Sequence, residues 1–198
     1  MTEKDKEMVK NEFVVLSPDI VFEALRQQNN NVVQWQSAQK GELDQAPEWE
    51  KSVEVLILNH KKISKIKGLE AFVNLRKLSM IDNCLVKIEG LSRCKLLEEL
   101  SLEKNKLGSI DELQHLRYLK KLDLGRNRIK RIDNGLANLD NLTQLSIEDN
   151  LIQQLDGLDH LQSLMELYLG NNLISDVRET TKLKGLGRLI ILDISGNQ

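Results

Sequence analysis

The stretches LEELSLEKNKL, residues 97–107, and LKKLDLGRNRI, residues 119–129, carry one pattern, L-x-x-L-x-L-x-x-N-x-L/I, 22 residues apart. Sliding that template along the chain of 198 residues places copies at Leu75, Leu97, Leu119, Leu142, Leu164 and Leu189, with a weaker one at Val53. The steps are 22, 22, 22, 23, 22 and 25 residues. The sixth place becomes Met80, Ile147 and Ile194 in three copies and stays apolar. The ninth place is Asn83, Asn105, Asn127, Asn150, Asn172 and Asn197, and departs only as Lys61 in the first copy. A single copy leaves its upper and lower faces bare, so only stacking of neighbours buries a core.

The L-x-L centre alternates with period two, which makes it a short strand with one buried face. The next strand comes one repeat later in the same direction, so the strands form a parallel sheet. Asn at the ninth place has a short amide that bonds backbone groups where the chain leaves the strand, and stacked copies predict an Asn ladder. The return half adds apolar positions such as Ile88, Leu91 and Leu96. A strand on one side and a slimmer return on the other curve the stack with the sheet inside. The expected fold is therefore α/β: a curved solenoid with a parallel concave β-sheet of about seven short strands and an N-terminal helical cap. Seven strands at about 4.8 Å give a groove roughly 29 Å long. An α-helix of about 20 residues spans that length, and the groove is too open to trap a small molecule.

Residues 1–50 form the expected helical capping segment, and residues 51–198 the array of seven copies, the last incomplete. Ser17-Pro18-Asp19 reads as a helix start, with Ser at the cap, Pro at the first position and Asp at the positive dipole end. Ile20, Val21, Phe22, Ala24 and Leu25 supply its apolar surface, the helix stops near Gln28, and Trp35 and Trp49 are candidates to cover the first strand. At the other end the template predicts Leu189, Leu192 and Ile194 on an open face, which suggests a piece of a longer protein.

Net charge is -2 with 29% charged residues, an ordinary surface without the basic excess that draws in nucleic acid or anionic lipid. Residues 1–50 carry five basic and ten acidic side chains, net -5, which leaves +3 for residues 51–198. No run of eighteen apolar residues predicts a membrane span, and the start MTEKDKEMVKNE lacks the apolar core of an export signal. Only Cys84 and Cys94 occur, neither placed to close an end by a disulfide, so the expected compartment is intracellular.

The 22-residue period, with the tails I-x-K-I-E-G-L at Leu85–Leu91 and L-D-G-L at Leu155–Leu158, resembles a class of leucine-rich-repeat proteins. That class is typified by the regulatory subunit of type-1 protein phosphatase and the leucine-rich light chain of axonemal dynein. The similarity covers residues 53–198, about three quarters of the chain. The stretches KIEGLSRCKLLEELSLEKN and TKLKGLGRLIILDISGN look like a repeat block of a large member linked to cilia. The resemblance implies a non-enzymatic scaffold or adaptor, cytoplasmic and ciliary or axonemal. The concave face here is poorer in aromatics than that of phosphatase regulators, so phosphatase regulation is the second reading. An extracellular recognition array, with the sequon at Asn141, is the third.

No residues point to catalysis, a cofactor or a metal. His115 and His160 recur at matching places in return segments, QHLRYL and DHLQSL, and read as structural; no His–Cys or His–carboxylate spacing suits zinc. Gly185-Leu186-Gly187 has no Lys-Ser/Thr after it and is not a phosphate loop. The partner expected is another protein, met by a monomer. Alternation sends the third, fifth and seventh places outward on the concave side. In copies two to six these include Lys77, Glu99, Glu103, Lys121, Asp123, Glu148, Glu166 and Tyr168, five acids against two bases. Lys77, Glu99 and Lys121 alternate down one column, and Asp82, Lys104, Arg126 and Asp149 down another, as self-pairing ladders. Glu103, Asp123 and Glu148 have no lateral basic neighbour and small Gly or Ser beside them. With Glu166, Tyr168 and the apolar Val55, Ile57 and Ile81, they are the expected contacts for a basic segment of a partner, helical in form.

Overall fold

A computed structural model describes residues 14–28 and 49–198. Each template copy sets its centre in a strand of three residues: β2 Val55–Ile57, β4 Lys77–Ser79, β5 Glu99–Ser101, β6 Lys121–Asp123, β7 Gln144–Ser146, β8 Glu166–Tyr168 and β9 Ile191–Asp193. These form one parallel sheet in chain order. Its register aligns Leu56, Leu78, Leu100, Leu122, Leu145, Leu167 and Leu192 as one column. The first six are 2% exposed or less, because five of them lie between two neighbouring copies and Leu56, at the edge, lies between the second copy and helix Pro18–Gln28. Burying one Leu side chain is worth roughly 1.5–3 kcal/mol, so these columns dominate the stability of the stack. Leu192, in the last strand, is 41% exposed and Ile194 40%, as the template predicts, whereas Leu189 packs against the core.

The Asn ladder is present. Asn127 donates from Nδ2 to the Leu102 and Leu124 carbonyls, each at 3.0 Å, and its Oδ1 accepts from Leu107 N at 3.0 Å. Asn83, Asn105, Asn150, Asn172 and Asn197 repeat the arrangement, each reaching the carbonyl of the buried sixth-place residue in the preceding copy. Where Lys61 replaces Asn, the neighbouring Asn59 contributes instead, its Oδ1 accepting from Ile81 N and Ser79 Oγ, both at 2.8 Å. The residue just before each ninth place is left-handed in every copy: φ is 58° at His60, 56° at Asp82, 58° at Lys104, 54° at Arg126, 52° at Asp149, 54° at Asn171 and 67° at Gly196. That kink turns the chain off the sheet and swings the side chain at this place along the rim.

Two elements lie outside the seven-strand pattern. A short strand β1, Val14–Val15, pairs in parallel with β3, Ile63–Lys65, in the first return segment. Helix α1, Pro18–Gln28, follows Ser17, whose carbonyl accepts from Ile20 N and Val21 N, and it buries Val21, Ala24 and Leu25 in the core. A brief helix α2 covers Trp49–Ser52; Trp35 and the Trp49 side chain lie outside the described residues. The 25-residue step before the last copy holds a 3-10 helix at Val177–Gly185, capped by Asp176, which accepts from Arg178 N at 2.9 Å.

Candidate protein-binding face

The concave face divides into three zones. At its N-terminal end Val55 and Ile57 are 44% and 38% exposed beside half-buried Ile81, and Gln28 at the end of α1 donates to the Ile57 carbonyl at 2.9 Å. In the middle a cavity of about 290 Å3 runs over the small Ser79, Ser101 and Ser146. Here the expected ladders form: Glu99 receives Lys77 at 2.7 Å and Lys121 at 3.8 Å, and Asp82 receives Lys104 at 3.3 Å. His60 adds an unforeseen rung, its Nδ1 2.8 Å from Asp82. Hydrogen bonds with His60 and Lys104 lower the Asp82 carboxyl, and the hydrogen bond from Lys77 lowers that of Glu99. A second ladder stands beside the sheet, where Glu98 lies 2.6 Å from both Arg76 and Lys120.

The third zone is acidic, and it corrects one expectation. Glu103 is not unpaired: Arg126 lies 3.5 Å from Glu103 and equally 3.5 Å from Asp149. The left-handed backbone at Arg126 sends its long side chain along the rim, where it reaches diagonally back one copy as well as forward. Asp123 and Glu148 have no ion pair among the described residues, and Asp193 of the seventh copy joins them. A Cβ added at Gly170 would stand 3.4 Å from both Glu148 Oε1 and Asp193 Oδ2, and one at Gly125 would stand 3.3 Å from Asp123 Oδ1. The acids therefore converge over a floor that only glycine leaves low.

Backbone donors fix two of the three acids, since Gly125 N donates to Asp123 at 3.0 Å and Ser195 N to Asp193 at 2.9 Å. The hydrogen bonds from Ser195 lower the Asp193 carboxyl. Glu148 has no such donor. Partial burial raises its pKa, and the charges of Asp193, Asp149 and Asp123 raise it further against a small opposing effect of Arg126. Tyr168 closes the zone, donating its hydroxyl to Glu166 Oε2 at 3.0 Å, a bond that pushes the phenol up. Asp193 is legible at the fifth place of the last copy, in the column of Tyr168; the diagonal reach of Arg126 leaves no mark in the sequence.

Comparison with known proteins bears on the fold. Residues 95–152 and 117–174 match the family model described as leucine rich repeat. No curated protein sequence matches the chain. Internalin C2 from Listeria monocytogenes is similar in structure, with a TM-score of 0.61, 24% identity, and coverage of 90% of this chain and 84% of that one. The TLR13–ssRNA13 complex superposes with a TM-score of 0.65 at 21% identity, over 74% of this chain and 26% of that one. The fold is that of a leucine-rich-repeat solenoid. Leucine-rich repeats are typically interaction modules rather than enzymes, and proteins of this class bind other proteins. The two histidines of the return segments differ: His160 Nε2 lies 3.1 Å from the Leu136 carbonyl, whereas His115 Nε2 is buried without a hydrogen-bond partner among the described residues. Burial pushes the Cys94 thiol up to about 11, far from the range of a reactive thiolate. No cluster of metal-ligating side chains occurs among the described residues, and none of their helices is long and apolar enough to cross a membrane.

Proposed function

We propose that this solenoid is a non-enzymatic intracellular scaffold whose concave sheet receives a basic, helical segment of a partner protein. The observation that carries the reading is an imbalance of pairing. Every Lys and Arg on the concave face already meets a carboxylate, while Asp123, Glu148 and Asp193 converge without a cation among the described residues. Ionised Glu148 is opposed by its acidic neighbours. A cation brought by a partner relieves that repulsion, so part of the binding free energy is stored in the free protein. Tyr168 beside the cluster supplies an amphipathic anchor of the kind favoured at interface hot spots, and Val55, Ile57 and Ile81 offer apolar contact at the other end of the groove. Both cysteines are free thiols, which suits a reducing compartment.

Binding kinetics of a Lys-rich helical peptide at two salt concentrations test this. Tyr168→Ala is expected to weaken binding most, by about 2 kcal/mol. Asp123→Lys slows association and flattens its salt dependence, while Lys130→Glu outside the groove leaves both unchanged. Loss of binding in Lys130→Glu with the concave variants intact would contradict the assignment.

A further inference from the structure

The return segments leave a second charged surface that the concave reading does not use. Just past each Asn, the chain forms another ladder of parallel backbone bonds, from Cys84 N to Ile63 O at 2.7 Å, Lys106 N to Leu85 O at 2.8 Å and Arg128 N to Leu107 O at 2.9 Å. This register stacks the copies side by side on one flank and brings Lys62, Lys65, Lys87, Arg128, Lys130 and Arg131 onto it. All six are exposed, and none has an ion pair or side-chain hydrogen bond among the described residues. Glu89, Asp111 and Asp133 follow along the chain, yet none lies within ion-pairing distance of them. The contrast with the concave face is sharp, because there the cations are paired and the acids are spare. Val86, 52% exposed, stands in the same flank beside Lys87.

We propose that this flank is a second docking surface, for an acidic protein segment carrying an apolar residue among its carboxylates. From Lys65 in the first copy to Arg131 in the fourth is three steps of about 4.8 Å, or roughly 14 Å. An acidic helix of about ten residues, at 1.5 Å each, covers that distance, and acids at i and i+4 stand about 6 Å apart, close to the spacing of the copies. A nucleic acid suits the flank less well, since it has no apolar group for Val86 and finds no aromatic side chain to stack on among these residues. A single exposed valine is likewise a poor membrane anchor. A scaffold with an acidic groove and a basic flank holds two partners of opposite charge at once.

The test is fluorescence anisotropy with a labelled twelve-residue (~18 Å,) helical peptide bearing Glu at i and i+4 around one Leu. Parallel arms use a DNA duplex and phosphatidylserine vesicles. The peptide is expected to bind the unaltered protein, to lose affinity about tenfold or more on joint Lys87→Glu and Arg131→Glu substitution, and to lose less with Gln at both positions. Asp123→Lys in the groove leaves it unchanged, so failure here is separate from failure of the concave assignment. Four results would overturn the proposal: no binding of the peptide, binding indifferent to both flank variants, tighter binding of duplex or vesicles through the same residues, or self-association in sedimentation that flank and groove reversals abolish alike. The last would make a second copy the occupant.

Discussion

Asn127 holds backbone groups of two copies with one side chain, and it is buried, whereas Asn197 in the last copy is partly exposed. A buried polar group left unpaired costs about 1–3 kcal/mol, so Asn127→Ala destabilises the stack by at least that much and Asn197→Ala by clearly less. Equal shifts in denaturant melts would remove the ladder from the account. Glu148 gives a prediction of opposite sign. Its folded-state pKa is raised, so between the unfolded and folded values the native state binds more protons and stability falls as pH rises. Above that window the ionised group is a net cost. Glu148→Gln therefore raises stability at neutral pH, by about a few tenths of a kcal/mol for a group this close to solvent. The gain shrinks as pH falls through the carboxylate range. A loss of stability, or a gain that does not change with pH, contradicts this. The Asn ladder is legible in the sequence because it recurs with the repeat. The Glu148 environment is only partly so: Asp149 is its chain neighbour, but the burial of Glu148 and the approach of Asp193 from two copies further on come from stacking.

Strands β2 and β4 to β9 follow from the template, since each L-x-L centre alternates and each step is nearly constant. The start of α1 follows as well, from Ser17, Pro18 and Asp19. The pairing of β1 with β3 does not, because strands of two and three residues carry too little alternation to mark a partner. The 3-10 helix at Val177–Gly185 is hinted at only by the longer 25-residue step. Between the elements, close stacking makes one turn glycine far more demanding than another. Gly68 at φ 78° has open space around it, while a Cβ at Gly157, φ 91°, would land on the Asp133 carbonyl oxygen of the preceding copy. Gly68→Ala bears only the left-handed strain, about 1–2 kcal/mol. Gly157→Ala must also push two copies apart, so thermal melts should show a loss several degrees larger. Matching losses would mean that the copies are packed less tightly at this turn than described.

Across the whole molecule, the places that build the solenoid and the places proposed to meet partners are different residues. Places one, four, six and nine are fixed by burial and hydrogen bonding, and they make the architecture readable from one sequence. Places three, five and seven face the groove, where the fold accepts side chains as different as Lys77, Glu99 and Ser146. Their charge can be read, but the partner they select cannot. The spatial separation of spare acids in the groove from spare cations on the flank emerges only when copies are stacked, because along the chain the acids Asp123, Glu148 and Asp193 lie in copies four, five and seven and the cations in copies one, two and four. The most direct test of the concave assignment is chemical-shift mapping by NMR of the isotope-labelled protein titrated with a Lys-rich helical peptide. The account predicts the largest shifts at the amides of Asp123, Ser146, Glu148 and Tyr168, with little change at Lys87, Lys130 and Arg131. Shifts confined to the flank, with the sheet amides unmoved, would contradict it.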